Sequence, residues 1–154
     1  METVDLSPLE GVQARIQAVS QKFPDEMLIG LNDRNPQLHD IYRVNINTGE
    51  RTLVQENEGF VGFVIDDDYN VRFAARMTPD GGMEYFSPTE EGGWEPFMEI
   101  AMEDTLTTGP VGFDPTGKIL YMIDSRDRNT AALVTLDLET GEQTLIAEDP
   151  QADI

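Results

Sequence analysis

The chain has 154 residues, and its 30 acidic against 10 basic side chains give a formal net charge of -20 at pH 7. This length suits one domain with its own core, and so acidic a surface repels nucleic acid and anionic membranes, so we expect neither as a partner. The absence of cysteine excludes disulfides, thiolate metal sites and a cysteine nucleophile, and we expect a reducing, cytoplasmic location. The acidic N-terminus and the short apolar runs predict neither a signal peptide nor a membrane segment.

The sequence of the N-terminal part of the chain fits two alternative structures. Residues 7–10 have the form of a capping box with proline at the first helical position, and apolar residues up to Phe23 recur at helical spacing. This pattern predicts a helix within residues 7–22. We favour a strand at Ala14–Val19 instead, because the first of the repeat units described next otherwise lacks its first strand. Residues 1–8 form a possible extra edge strand.

The chain repeats itself after 92 residues without a gap. The matching stretches are 27–35 with 119–127, and 41–56 with 133–148. A weaker copy lies between them, at an offset of about 44 residues. We therefore predict repeat units at about residues 12–57, 58–101 and 107–149.

Each unit predicts four short strands joined by turns rich in Asp, Pro, Gly and Thr. In the third unit the predicted strands are residues 110–113, 119–123, 132–138 and 143–147. The second strands are apolar on both faces, and the glycines of the first strands indicate crowded backbones, so we expect burial to decrease from the first strand to the fourth. The sequence thus predicts an all-β fold of three antiparallel four-stranded β-propeller blades, forming a single partial propeller domain over residues 1–154.

The sequence offers no arrangement for nucleophilic catalysis. None of its four serines lies in a Gly-x-Ser-x-Gly frame, and we expect the only histidine, His39, to be a partly exposed loop residue before a strand. The acidic run 66–70 begins like a calcium loop, but Val71 and Met77 stand where that loop needs glycine and glutamate. We interpret this run as a hairpin turn, and we expect no catalytic residue, metal or cofactor.

Arg34, Arg126 and Arg128 are the candidate binding residues. The repeat places Arg34 and Arg126 at equivalent positions, between the second and third strands of their units, and Arg128 is close by. One interpretation is a surface that faces an anion or a partner. The other, which we favour, is that these arginines pair with neighbouring acids such as Asp40 and Asp124.

The stretches that carry a family resemblance are residues 5–16, 30–45 and 106–133, the last with Leu-Thr-Thr-Gly-Pro-Val-Gly-Phe-Asp and Leu-Tyr-Met-Ile-Asp-Ser-Arg. They resemble the N-terminal β-propeller of prolyl-oligopeptidase-family serine peptidases, in the acylaminoacyl-peptidase or dipeptidyl-aminopeptidase-like branch. The resemblance implies a propeller of several blades that restricts substrate access to an α/β-hydrolase domain with a Ser, Asp, His triad. The sequence contains about three blades and no hydrolase domain, so the resemblance assigns no catalytic role to any residue. Asp127 departs from the glycine that we expect the family to favour in that loop.

Three blades do not close a ring, and an uncovered apolar sheet face needs a cover. We therefore expect a homodimer that closes a six-bladed ring, in which residues 1–8 could add to a neighbour's sheet. The predicted function is that of a non-catalytic propeller fragment of a prolyl-oligopeptidase-like peptidase, whose catalytic domain hydrolyses short peptides. The alternative is a free-standing acidic binding module that uses one propeller face or channel for a small ligand or a protein.

Overall fold

A computed structural model describes residues 10–154, and nearly all of their regular structure is β-strand. The twelve strands assigned within these residues are β1 (Ala14–Val19), β2 (Glu26–Asn35), β3 (Leu38–Asn45), β4 (Arg51–Gln55), β5 (Gly62–Ile65), β6 (Val71–Met77), β7 (Met83–Pro88), β8 (Trp94–Ile100), β9 (Gly109–Phe113), β10 (Ile119–Asp124), β11 (Ala132–Asp137) and β12 (Gln143–Ala147). One 3-10 turn, Met102–Asp104, lies between β8 and β9. The described chain forms two compact units, one ending at Val71 and one beginning at Arg72. The possible edge strand at residues 1–8 lies outside the described residues.

The strands form three four-stranded sheets with the orders β1-β2-β3-β4, β5-β6-β7-β8 and β9-β10-β11-β12. This confirms the prediction of an all-β chain with three four-stranded antiparallel sheets. It also confirms the strand at Ala14–Val19, which pairs with β2. A short isolated helix is marginally stable in water, whereas a strand here gains the backbone hydrogen bonds of β2. The apolar residue Phe23, which completed the helical pattern, lies instead in a turn closed by its amide on the Ser20 carbonyl at 3.1 Å.

β2 carries the core of the first unit. Its successive residues Leu28 and Ile29 point to opposite faces of the sheet, and both are buried. Leu28 packs with Ile41 and Tyr69, whereas Ile29 packs with Val44. Both faces of β2 are thus covered by other residues, which explains why this second strand is apolar on both sides.

Tyr69 reaches this core from the acidic turn at residues 66–70. Its backbone has a φ of 63°, in the left-handed region that costs a non-glycine residue about 1–2 kcal/mol. Its buried ring stacks on Phe23 with centroids 5.1 Å apart. Its hydroxyl accepts a hydrogen bond from the Ser20 amide at 3.0 Å and donates one to the Glu26 carbonyl at 2.8 Å. Ring packing and two hydrogen bonds thus offset the unfavourable backbone conformation.

The acidic run at residues 66–70 is a hairpin turn, as its sequence indicated. The Asp66 carbonyl accepts from the Tyr69 amide at 3.0 Å. One carboxylate oxygen of Asp66 also accepts from the amides of Asp68 at 3.0 Å and Asn70 at 2.9 Å. Aspartate is favoured in turns because its side chain binds backbone amides in this way.

Aromatic rings connect the second and third sheets within the second unit. Phe73 on β6 stacks on Phe97 of β8 with centroids 4.5 Å apart, and its ring lies 6.2 Å from that of Phe113 on β9. In the third sheet, Leu120 on β10 and Val134 on β11 are fully buried. Second and third strands supply most of the buried side chains of this unit, and Ile100 and the aromatic rings of β8 and β9 complete its core.

The first strands are more exposed than predicted. Ile16 and Val19 on β1 are 70% and 67% exposed, and Val111 on β9 is 64% exposed. β1 and β9 are edge strands of their sheets and have a hydrogen-bonded neighbour on one side only. The expected decrease of burial from the first strand to the fourth is therefore wrong, although β12 is exposed throughout, as predicted for a fourth strand.

We predict that Tyr69→Phe lowers the free energy of unfolding by about 1–3 kcal/mol, because the Ser20 amide and the Glu26 carbonyl lose their shared partner. Urea unfolding followed by circular dichroism measures this loss. The matched control is Tyr121→Phe on β10, whose side chain is exposed, and for which we expect a change within about 0.5 kcal/mol. Equal losses in the two variants would contradict the role assigned to the Tyr69 hydroxyl.

Candidate functional site

Arg34, near the end of β2, holds a buried carboxylate on β3. Its Nε donates to Asp40 Oδ2 at 2.9 Å, and its Nη2 donates to Asp40 Oδ1 at 2.9 Å. The same Nη2 donates to the backbone carbonyl of Asn57 at 2.8 Å. The side chain of Asp40 is only 2% exposed, whereas that of Arg34 is 45% exposed. The carboxylate therefore lies inside the unit while part of the guanidinium still reaches solvent.

Two opposing effects act on the pKa of Asp40. Burial raises this pKa, but hydrogen bonds from the Arg34 guanidinium and the Asn57 amide lower it, and their effect prevails. The Asn57 amide donates to Asp40 Oδ1 at 2.7 Å. The pKa therefore lies below its ordinary value, and Asp40 is ionised at neutral pH.

Asn57 organises the loop between β4 and β5. Its Oδ1 accepts from the amides of Gly59 at 2.9 Å and Phe60 at 2.7 Å. Its Nδ2 donates to the carbonyls of Phe60 at 2.9 Å and His39 at 3.3 Å. This role was not predicted from the sequence, although the turn-forming order Asn-Glu-Gly at residues 57–59 is a signal for it.

A second buried carboxylate is held by Arg126 in the second unit. Its Nε donates to Asp124 Oδ1 at 2.9 Å and its Nη2 donates to Oδ2 at 2.8 Å, and the Asp124 side chain is 5% exposed. The amide of Gln143 on β12 adds a hydrogen bond to Oδ2 at 3.1 Å. The hydrogen bond from Arg126 is the main cause that lowers the pKa of Asp124, and it outweighs the opposing effect of burial. Asp124 ends a second strand whereas Asp40 lies on a third strand, so the equivalent arginines use acids from different strands.

Arg128 forms a more exposed pair. Its Nη1 donates to Glu148 Oε2 at 2.7 Å, and the Glu148 side chain is 52% exposed. Asp127 beside it has a φ of 58°, the left-handed conformation that favours glycine. This is the position where the family resemblance led us to expect glycine.

The structure therefore places all three candidate arginines in ion pairs within their own units. Arg34 belongs to the first unit, and Arg126 and Arg128 belong to the second. An anion or partner at these loops stays a prediction.

The first unit also contains a cleft of about 320 Å³, which we call the β1–β3 cleft. Its lining includes Arg15 and Gln17 of β1, His39 of β3, and Phe60 and Phe63 from the Asn57 loop and β5. The rings of Phe60 and Phe63 meet edge to face with centroids 5.8 Å apart. The sequence did not predict this cleft, because its lining comes from three separate segments.

His39 is the second residue of β3, so its expected position in a loop before a strand is wrong. Its Nε2 is buried and has no hydrogen-bond partner among residues 10–154. Burial, together with the positive charge of Arg15, lowers the pKa of the imidazole. The side chain is therefore neutral at pH 7.

The serines of the described chain are bonded to groups other than histidine. The hydroxyls of Ser20, Ser87 and Ser125 donate, respectively, to the Asp67 carbonyl at 2.7 Å, the Glu95 carboxylate at 3.4 Å and the Asp104 carboxylate at 2.9 Å. Within residues 10–154, no group of three or more His, Asp or Glu side chains is placed to hold a metal ion. In the same part of the chain, no helix has the length and apolar character needed to cross a membrane.

We predict that Arg126→Gln lowers the free energy of unfolding at pH 7 by about 1–3 kcal/mol, because Asp124 stays buried without its cation. Urea unfolding measures the loss, and Arg128→Gln is the matched control, for which we expect little change because its pair is exposed.

The same variant gives a pH test. The folded-state pKa of Asp124 lies below its ordinary value of 3.8. The ion pair with Arg126 therefore stabilises the fold fully above about pH 3.8, and this stabilisation is lost as the pH falls through the folded-state pKa. We therefore expect the difference between wild type and Arg126→Gln to shrink below about pH 4. A difference as large at pH 3 as at pH 7 would contradict an ion-pair origin.

Comparisons with known proteins identify relatives of the chain. It is 44% identical over 151 residues to dipeptidyl aminopeptidase BIII of Pseudoxanthomonas mexicana, a match that covers 97% of this chain and 22% of that protein. It is 36% identical over 127 residues to dipeptidyl peptidase family member 6 of Caenorhabditis elegans, which covers 77% of this chain and 17% of that protein. No family model matches the chain.

Among solved structures, the fold resembles TolB from Acinetobacter baumannii, with a TM-score of 0.57 at 13% identity. That match covers 89% of this chain and 33% of TolB, a β-propeller protein, and it bears on the fold alone. The chain spans about a fifth of the length of the curated relatives that it matches. With its three four-stranded sheets, the chain is homologous to a β-propeller segment of the dipeptidyl aminopeptidases, which confirms the resemblance found in its sequence.

Proposed function

We propose that the chain is the non-catalytic propeller part of a dipeptidyl-peptidase-like serine peptidase, in which it restricts the access of peptides to a separate catalytic domain. The observation that carries the proposal is the 44% identity to a dipeptidyl aminopeptidase through 97% of the chain. Identity at this level along the whole segment supports a shared role in the larger protein as well as a shared fold.

The chemistry of the described residues supports a non-catalytic role. The hydroxyls of Ser20, Ser87 and Ser125 donate to other groups. The only histidine of the sequence, His39, lies on β3, and its buried Nε2 has no hydrogen-bond partner among residues 10–154. In a Ser-His-Asp triad the nucleophilic serine donates to histidine, whereas these three serines donate to a carbonyl or to a carboxylate.

A domain graft tests the proposal. The matched 151-residue segment of dipeptidyl aminopeptidase BIII is replaced by this chain, and the release of a dipeptide from a dipeptidyl-aminomethylcoumarin is measured. We expect kcat/KM within about tenfold of the unmodified relative, because a propeller of the same family restores the boundary of the substrate chamber. The chain alone should release no dipeptide.

Two controls make the graft informative. The relative with the matched segment deleted should be inactive, which shows that activity depends on that segment. Cooperative thermal unfolding of the graft shows that it is folded. A folded graft without activity, or hydrolysis by this chain alone, would contradict the proposal.

We further infer that the chain self-associates into a homodimer that closes a six-bladed ring. Ile16 and Val19 on β1, and Leu145 and Ile146 on β12, carry large apolar side chains that are between 45% and 70% exposed. Both strands lie at sheet edges, where a second copy could add its own strands or faces.

Light scattering at two salt concentrations tests the dimer. We expect a mass near twice 17.2 kDa, with a larger dimer fraction at high salt because salt screens the repulsion between two chains of charge -20. Leu145→Glu on β12 should shift the mass towards the monomer. The matched control is Leu106→Glu, at a loop residue that is 96% exposed, and it should leave the mass unchanged. A monomer at both salt concentrations would overturn the dimer.

Three further expectations belong with this function. The three repeat units, 12–57, 58–101 and 107–149, would each be one blade, and the strand bounds support this because each sheet falls within one of these ranges. A cytoplasmic location is supported by the absence of cysteine. Of the candidate arginines, Arg128 is the best placed to exchange its exposed partner Glu148 for an acidic group of another protein.

A further inference from the structure

We propose that the β1–β3 cleft binds a small carboxylate that carries an apolar substituent, such as an N-acylated apolar amino acid. The cleft lies within the first unit and has a volume of about 320 Å³. This volume is at the lower end of the range of small-molecule sites. The proposal depends on four features of the residues that form and surround the cleft.

The first feature is an arginine without an acidic partner. Arg15 donates to Gln13 Oε1 at 3.0 Å and has no ion pair with a carboxylate of residues 10–154. It thereby differs from Arg34 and Arg126, each of which holds a buried aspartate through two hydrogen bonds. In a chain with 30 acidic residues, this leaves a planar guanidinium free to bind a carboxylate from outside.

The second feature is a neutral polar group beside Arg15. Nε2 of His39 is buried without a partner among residues 10–154. His39 lines the cleft, but this nitrogen is closed to solvent, so the imidazole contributes a neutral wall and not a hydrogen bond to the ligand. Because the imidazole is neutral, Arg15 supplies the positive charge of this wall.

The third feature is a glycine against which two of the lining side chains pack closely. Gly30 on β2 lies opposite Arg15 in the strand pairing. A Cβ atom at Gly30 would come within 2.8 Å of Gln17 Nε2 and 3.2 Å of His39 Cβ. A side chain at this position would therefore displace two polar residues that line the cleft.

The fourth feature is a rigid apolar wall. Phe60 and Phe63 lie beside Val61, which is 63% exposed although it is apolar. The loop that carries Phe60 and Val61 is held by four hydrogen bonds of the Asn57 side chain. The backbone carbonyl of Asn57 in turn accepts a hydrogen bond from Arg34. A preformed apolar wall next to an arginine fits an apolar group joined to a carboxylate.

The test is an amide NMR titration of the full chain with N-acetyl-L-leucine. We expect saturable shifts that centre on the amides of Gly30, Gly59 and Gly62. N-acetyl-L-leucinamide, which has the same shape without the charge, should bind at least about tenfold more weakly, because it loses the charge-assisted hydrogen bonds to Arg15. Acetate should also bind more weakly, because it lacks the apolar group.

Arg15→Gln should weaken the binding of N-acetyl-L-leucine by about tenfold or more while the rest of the spectrum stays unchanged. The matched control is Arg51→Gln on β4, since the Arg51 guanidinium lies over the Tyr42 ring, 5.6 Å from its centroid, and does not line the cleft. Equal affinities for the acid and the amide, wild-type affinity in Arg15→Gln, or shifts that do not saturate would each overturn the proposal.

Discussion

A buried carboxylate organises the first unit. Asp40 on β3 accepts two hydrogen bonds from Arg34 on β2 and one from the backbone of Asn57 beyond β4. An ionised group in such a place is stable only if its lone pairs are satisfied, so the strand ends and the following loop must keep their relative positions. The Asn57 loop, and with it the aromatic wall of the β1–β3 cleft, depends on this one arrangement.

The second unit also contains a buried carboxylate, which is held by a different set of residues. Arg126 holds Asp124, and Gln143 of β12 takes the place that the backbone amide of Asn57 has in the first unit. In both units an arginine neutralises an acid that is almost completely buried; Arg34 lies near the end of the second strand β2, and Arg126 lies in the loop just after the second strand β10. These arginines therefore stabilise the connection between the second and third strands, and their donors are already used in doing so.

The distribution of the few basic residues has a functional consequence. A surface with a net charge of -20 repels anions at long range, so an anionic ligand must be recognised by a local arrangement. Arginines that already hold buried aspartates contribute little to such recognition, because their donors are occupied. Arg15 in the first unit does not hold a buried aspartate, and it lies beside a cleft with an apolar wall.

The sequence by itself determined the strands, their grouping into three four-stranded sheets, the hairpin at residues 66–70 and the relation to the dipeptidyl aminopeptidases. These follow from local alternation, turn residues and similarity along the chain, which need no knowledge of distant contacts. The tertiary structure decided which acid each arginine holds, the position of His39 within β3, the exposure of β1 and β9, and the existence of the cleft. Burial and pairing depend on side chains from segments far apart in sequence, such as Arg34 and Asn57, and no local pattern encodes which of many acidic residues will meet a given arginine.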